Sequence, residues 1–177
     1  VEGTYRGWPL SVMDITASRN RKNGPSTVFS GLIIKTPNAK PVEGWYGLFD
    51  NGGSGQLTGT VQGFGWQPIR LEGREFEDKF DFYGTDQIEG RKMMTPRRMV
   101  QLSAAAETMD LSSFRIIYRE DAIYMAIGRD ENWLDSAILA ATPEEFERQA
   151  RNVLQHLSQL FDFLDIFLFG DENSPQQ

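Results

Sequence analysis

The chain has 177 residues, 40% of them hydrophobic and 12% aromatic, which suits one ordinary globular domain with a real core. A formal net charge of -7 argues against an overall nucleic-acid binder, which needs a basic footprint, and the lack of cysteine excludes disulfides, thiolate chemistry and cysteine-ligated metal. No run approaches the roughly 18 apolar residues of a membrane span, and no signal-peptide pattern opens the chain.

Taken in order, Leu10 to Ala17 alternates imperfectly, Arg19 to Pro25 is a polar turn, and Ser26 to Thr36 is β-branched and apolar. This predicts a hairpin with a long basic loop. Pro37 to Pro41 is a second break, and Val42 to Phe49 predicts a strand carrying Trp45 and Tyr46. Asn51 to Gly65 holds six glycines but lacks the Lys-Ser or Lys-Thr pair and following helix of a phosphate-cradling loop, so it reads as a mobile loop. Trp66 to Leu71 leads into a central strand, where Phe76, Phe80 and Phe82 share one face and Glu77, Lys79 and Asp81 the other. Tyr83 to Asp86 supplies turn chemistry, and Thr95-Pro96 starts a helix that runs to about Met109.

Ser112 to Tyr118 and Ala122 to Gly128 predict a hairpin, with Phe114, Ile116 and Tyr118 on one face of the first strand and Ile123, Met125 and Ile127 on one face of the second. Asp130 to Ala140 allows a short helix. Thr142-Pro143-Glu144-Glu145 is a capping box, and Phe146, Ala150, Val153, Leu154, Leu157, Leu160, Phe161 and Leu164 then recur at helical spacing, predicting a long helix packed on the sheet. The run FDFLDIFLF at 161–169 holds more rings than one helix face can bury. Core packing is the simpler account, and a partner or dimer contact through Phe163, Ile166 and Phe167 is the sharper one. Residues 171–177 read as a polar, disordered tail.

Charge is unevenly spread. Residues 1–40 hold Arg6, Arg19, Arg21, Lys22, Lys35 and Lys40 against Glu2 and Asp14, and residues 91–98 hold Arg91, Lys92, Arg97 and Arg98 with no acid. Arg97 and Arg98 sit in the first turn of a helix, where the dipole disfavours cations by about 0.3 to 1 kcal/mol each. With Arg91 and Lys92 they form a candidate docking patch for an acidic partner or an anionic lipid headgroup, against a background account of ordinary surface ion pairs. Reversing Arg97 and Arg98 to Glu is expected to leave folding intact. His156 is the only histidine, on the polar side of its helix, so no Ser-His-Asp set or histidine metal site can be assembled. Asp86 and Glu89 are the remaining candidates for acid and base chemistry, while a structural account has Asp86 capping the turn and Glu89 pairing with Arg91.

The same stretch carries a family pattern. Phe76, Phe80 and Tyr83, then Asp86, Gln87, Glu89 and Arg91, then Thr95, Pro96 and Met99 resemble the signature of the bacterial DUF3137 family, and Thr27 to Ile33 is similar to its T-x-F-x-G-L segment. The resemblance covers roughly residues 1–130. Gly90 stands where members usually carry Ala, and Lys92-Met93 where they carry a Tyr and an aliphatic residue, which marks a divergent member. It implies an organisation and no reaction. Members usually carry membrane-spanning helices ahead of the conserved region, and a chain that opens on Val1 fits the soluble portion of a longer, inner-membrane-associated protein, with the cytoplasmic side favoured.

These readings combine into an α+β fold over residues 1–170: a curved, mainly antiparallel sheet of about six to eight strands, one helix near 96–109 and a long C-terminal helix near 143–165, with a barrel-like sheet as a variant. The expected role is a non-enzymatic protein-interaction module without cofactor or metal. The alternatives are a domain binding a small ligand or an anionic lipid headgroup and, third, a hydrolase using Asp86 and Glu89.

Overall fold

A computed structural model describes residues 1–22, 24–38, 40–51, 65–108, 113–128 and 142–169, apart from the side chains of Thr108, His156 and Phe169. Most of the glycine-rich segment, the stretch 130–140, the tail 171–177 and the facing of His156 lie outside the described residues. The elements are β1 (Glu2–Tyr5), β2 (Trp8–Arg21), β3 (Gly24–Pro37), β4 (Tyr46–Asp50), β5 (Gln67–Pro68), α1 (Arg74–Glu77), β6 (Phe80–Gly84), α2 (Gln87–Met93), α3 (Pro96–Thr108), β7 (Ser113–Arg119), β8 (Ala122–Gly128) and α4 (Pro143–Phe169). The eight strands form one open sheet in the order β1-β2-β3-β8-β7-β4-β6-β5, every neighbouring pair antiparallel. This is the expected α+β architecture in its open form.

Alternation in the strands translates directly into a core. Val12, Ile34, Met125, Ile116, Leu48 and Phe82 stand opposite one another in one row across six strands, and all but Val12 are buried. Phe76 of α1, Met99 and Leu102 of α3, and Leu160, Phe163, Leu164 and Phe167 of α4 join the same cluster. All four described helices therefore lie on one face of the sheet, since Gly90 of α2 also abuts Ile69, Phe82 and Tyr46. Burying each large side chain contributes roughly 1.5–3 kcal/mol, so this one layer contact holds most of the fold's stability.

Four expectations are corrected. The central strand begins at Phe80, because the Glu77 carboxylate accepts from the Leu71 amide at 2.8 Å and winds Arg74–Glu77 into one helical turn; Phe76 still reaches the core, its ring 5.0 Å from that of Phe80. The short helix α2 was not anticipated. The basic loop at 19–25 is instead strand: β2 and β3 stay paired out to Arg21 and Gly24, with a bulge beside Ala17 and Ser18. Gly24, the last paired residue of β3, takes φ +109°, a conformation glycine adopts at little cost. Finally, α4 is buried only from Leu160 onward, while Phe146 and Leu154 are 56% and 66% exposed. Phe161 already stacks on Tyr5 of the edge strand β1, so residues upstream of it have little sheet left to cover.

The β1–β2 reversal is fastened to that helix. Arg6 at φ +48° and Gly7 at φ +84° form a two-residue turn, an unusual backbone for arginine. The Arg6 guanidinium meets the Asp165 carboxylate at 3.1 Å, and the Tyr5 and Phe161 rings stack at 4.4 Å.

One core group is left unsatisfied. Tyr118 is buried at the centre of the sheet and its hydroxyl has no hydrogen-bond partner among the described residues. Burial pushes its ionisation far above the ordinary phenol range, against a smaller lowering by the Arg98 charge. The folded chain thus holds this proton more tightly than the unfolded chain does, so its contribution is whole below about pH 10 and is lost as pH rises further. Tyr118→Phe should leave the chain at least as stable at pH 7, by up to about 1 kcal/mol, and flatten the alkaline loss of stability, as read by urea denaturation at pH 7 and pH 10.5.

Candidate functional site

The turn at Asp86 is a structural joint. The Asp86 Oδ1 accepts from the amides of Ile88 and Glu89 at 2.8 and 2.9 Å, which caps α2 as the side chain's acceptor geometry favours. Glu89 pairs with Lys92, not with Arg91, because residues three apart share a helix face while residues two apart do not. Behind the joint, the Tyr46 hydroxyl donates to the Glu43 carbonyl at 2.9 Å. Its ionisation is pushed up by burial first, then by the negative charges of Asp86 and Glu89. Both carboxylates are thus engaged locally. A cavity of about 440 Å³ lies elsewhere, lined by Glu2, Leu10, Ser11, Lys35, Thr36 and Asp121, and neither Asp86 nor Glu89 borders it. No cluster of three or more His, Asp or Glu side chains close enough to hold a metal occurs among the described residues.

Two of the four cations of the candidate patch, Lys92 and Arg98, are engaged within the chain. Thr95 caps α3 by accepting from the Arg98 amide at 3.3 Å. The Arg98 guanidinium turns back to donate to the Met93 carbonyl at the end of α2. This resolves the clash with the helix dipole: the cation at the positive start of α3 is satisfied by the negative end of α2. Lys92 is held by Glu89, Arg98 is half-buried, and Arg91 and Arg97 remain exposed. Reversal of Arg98 would therefore set a carboxylate against a carbonyl oxygen, which corrects the expectation that the double reversal leaves folding intact.

The C-terminal aromatic contact is corrected as well. Phe163, Ile166 and Phe167 are buried, with Phe163 edge-on to Phe114 at 5.0 Å and Phe167 6.0 Å from Tyr118. They fill this chain's own core, because a helix laid on a sheet this rich in rings buries the whole stripe that faces it.

The surface that sequence reasoning missed is the opposite face of the sheet, on β2 and β3. β3 pairs with β8 only over Gly31–Pro37, so the segments 16–21 and 24–30 have no strand neighbour but each other among the described residues. They form a two-stranded arm. At its root Gly31, at φ +147°, lies so close to β8 that a Cβ would strike the Ile127 carbonyl. On the face away from the helices, Met13 stands opposite Ile33, Ile15 opposite Gly31 and Ala17 opposite Phe29. Met13, Ile15 and the bulge residue Val28 are 52%, 37% and 56% exposed. Arg19 and Arg21 continue the same side of β2 by strand alternation. The signal was present as the period-two series Met13, Ile15, Ala17, Arg19, Arg21; its cations disguised the strand as loop.

Comparison with known proteins adds family and fold. A family model described as a protein of unknown function, DUF3137, matches residues 27–167. The match runs from within β3 to near the end of α4, further than the motifs alone reach. No curated protein matches the chain. The crystal structure of the mycobacterial trehalose monomycolate transport factor A, TtfA, is similar at 12% identity over 99% of this chain and 74% of that one, with a TM-score of 0.46.

The joint and the cation assignments can be checked by stability. Asp86→Ala should cost about 1 kcal/mol while Asp86→Asn keeps most of the cap. Arg98→Glu should cost about 1.5–3 kcal/mol, whereas Arg97→Glu should stay within about 0.5 kcal/mol of the parent. Urea denaturation at pH 7 measures all four.

Proposed function

This chain belongs to the DUF3137 family, and we propose that it works as a non-enzymatic interaction domain that docks through the outer face of the β2–β3 arm. The observation that carries the reading is the exposed apolar pair Met13 and Ile15 at the root of a ribbon that outruns its own sheet among the described residues, with the exposed bulge residue Val28 on the ribbon itself. A self-sufficient fold gains nothing from holding apolar side chains in water at the root and along a projecting element. The engagement of Asp86 and Glu89 in capping and ion pairing favours this reading over a hydrolase.

Among the described residues no helix is long and apolar enough to cross a membrane. In this proposal, membrane association comes from a segment outside these 177 residues, with the domain on the cytoplasmic side; the motif resemblance supports it. A second reading, binding of a small ligand, is favoured by the cavity, whose lining includes Lys35, Glu2 and Asp121.

A photo-crosslinking side chain placed at position 15 or 28 in the full-length protein in cells tests the docking face. Position 100 serves as control, since Val100 on α3 is 69% exposed and lies on the helical layer. Discrete adducts from the arm positions and none from position 100 are the expected result. Equal labelling from all three positions would remove the arm as the docking element.

A further inference from the structure

The charge on the arm points to what it docks on. No acidic residue occurs between Asp14 and Glu43, a stretch that carries Arg19, Arg21, Lys22, Lys35 and Lys40 in a chain of net charge -7. The two acids carried by β1 and β2 do not offset the tip. Asp14 stands opposite Leu32, on the other side of β2 from Met13 and Arg19, and Glu2 stands in the row of Ser11 and Lys35 at the far end of the ribbon. Arg19, Arg21 and Lys22 are exposed and engage no ion pair among the described residues. The outer face of the arm is thus ordered along its length, with aliphatic and methionine side chains at the root and cations at the tip.

We propose that the outer face of the β2–β3 arm binds the surface of an anionic lipid bilayer, with Arg19, Arg21 and Lys22 among the headgroups and Ile15 and Val28 at the acyl boundary. This rests on the docking role proposed above and names its partner. Two physical points select a bilayer over an acidic protein. The exposed apolar groups are aliphatic or methionine side chains, whereas protein hot spots are aromatic anchors seated in pockets. An interfacial element needs only apolar area on one side and cations to attract anionic headgroups. The net negative charge of the chain does not oppose this. Residues 24–30 extend beyond the last strand pairing by roughly 20 Å, about twice the Debye length at physiological salt, so charges on the strands beyond that pairing are largely screened from the tip.

The test uses the full chain and sedimentation with vesicles of phosphatidylcholine alone or with about one-third phosphatidylglycerol. Binding to the anionic vesicles, little to the neutral ones, and weakening at high salt are expected. Arg19→Glu with Arg21→Glu should reduce binding by about tenfold or more. Ile15→Ser with Val28→Ser should also weaken it, and this loss should persist at low salt. Arg91→Glu with Arg97→Glu should leave it unchanged. Circular dichroism verifies that each pair folds. Absence of binding to the anionic vesicles overturns the proposal, as does a loss produced by the Arg91 and Arg97 pair and not by the arm pairs. If vesicles are not bound while crosslinks from positions 15 and 28 fall on a protein, the bilayer is excluded and the docking role stands. If position 100 crosslinks equally, the docking role fails with it.

Discussion

The Phe163 ring meets Phe114 edge-on, and Phe167 packs beside it toward Tyr118; around these contacts the last three turns of α4 close over the centre of the sheet. Strands β7, β8 and β3 bury their inner faces only because this segment covers them, and the row from Val12 to Phe82 becomes interior through the same contact. An open antiparallel sheet needs one covered face and tolerates water on the other. Here the four described helices all serve the first requirement, which leaves the outer face to be shaped by something other than the core.

That asymmetry separates two kinds of residue that look alike in sequence. Leu32, Ile34 and the half-buried Ile33 belong to one continuous run, yet Ile33 stands on the side away from the helices. A second, smaller cluster, Phe49 against Trp66 with Trp45, Tyr83 and Ile117 beside them, occupies the β4 end of the outer side. Gly47 makes room for it, because a Cβ there would run into the rings of both Trp66 and Phe49. One end of the outer face is thus closed by aromatic packing, and the other ends in the arm.

Much of the layer contact was legible in sequence because it is written in periodicity. Phe114, Ile116 and Tyr118 against Ile123, Met125 and Ile127 gave both the β7–β8 hairpin and the side it buries. Thr95-Pro96 and Thr142-Pro143 gave helix starts whose caps are present: each threonine hydroxyl accepts an amide three residues on. Where the reading failed, the reason is local. Phe76 and Phe80 are four apart, a spacing that suits both a strand face and a helical turn, and the side chain of Glu77 decided for the turn. The contacts of α2 with the core are made by Gly90 and Met93, too few to leave an apolar pattern to find. The basic patch was grouped by closeness along the chain, but Arg91 and Arg98 sit on different helices, and Arg98 turns to the Met93 carbonyl. The arm was hidden for the reverse reason: its face is assembled by cross-strand register, which a linear reading does not contain.

The clasp between the β1–β2 turn and α4 has a mechanical meaning. Arg6 and Tyr5 hold Asp165 and Phe161, and β2 leaves the same turn to run without interruption into the arm. A helix that slides along its axis must therefore break the ion pair and unstack the rings, or pull on the base of β2. The exposed first half of α4 and the arm therefore meet at one clasp, so the helix that covers the core and the strand that becomes the arm share a single fastening at the sheet's edge.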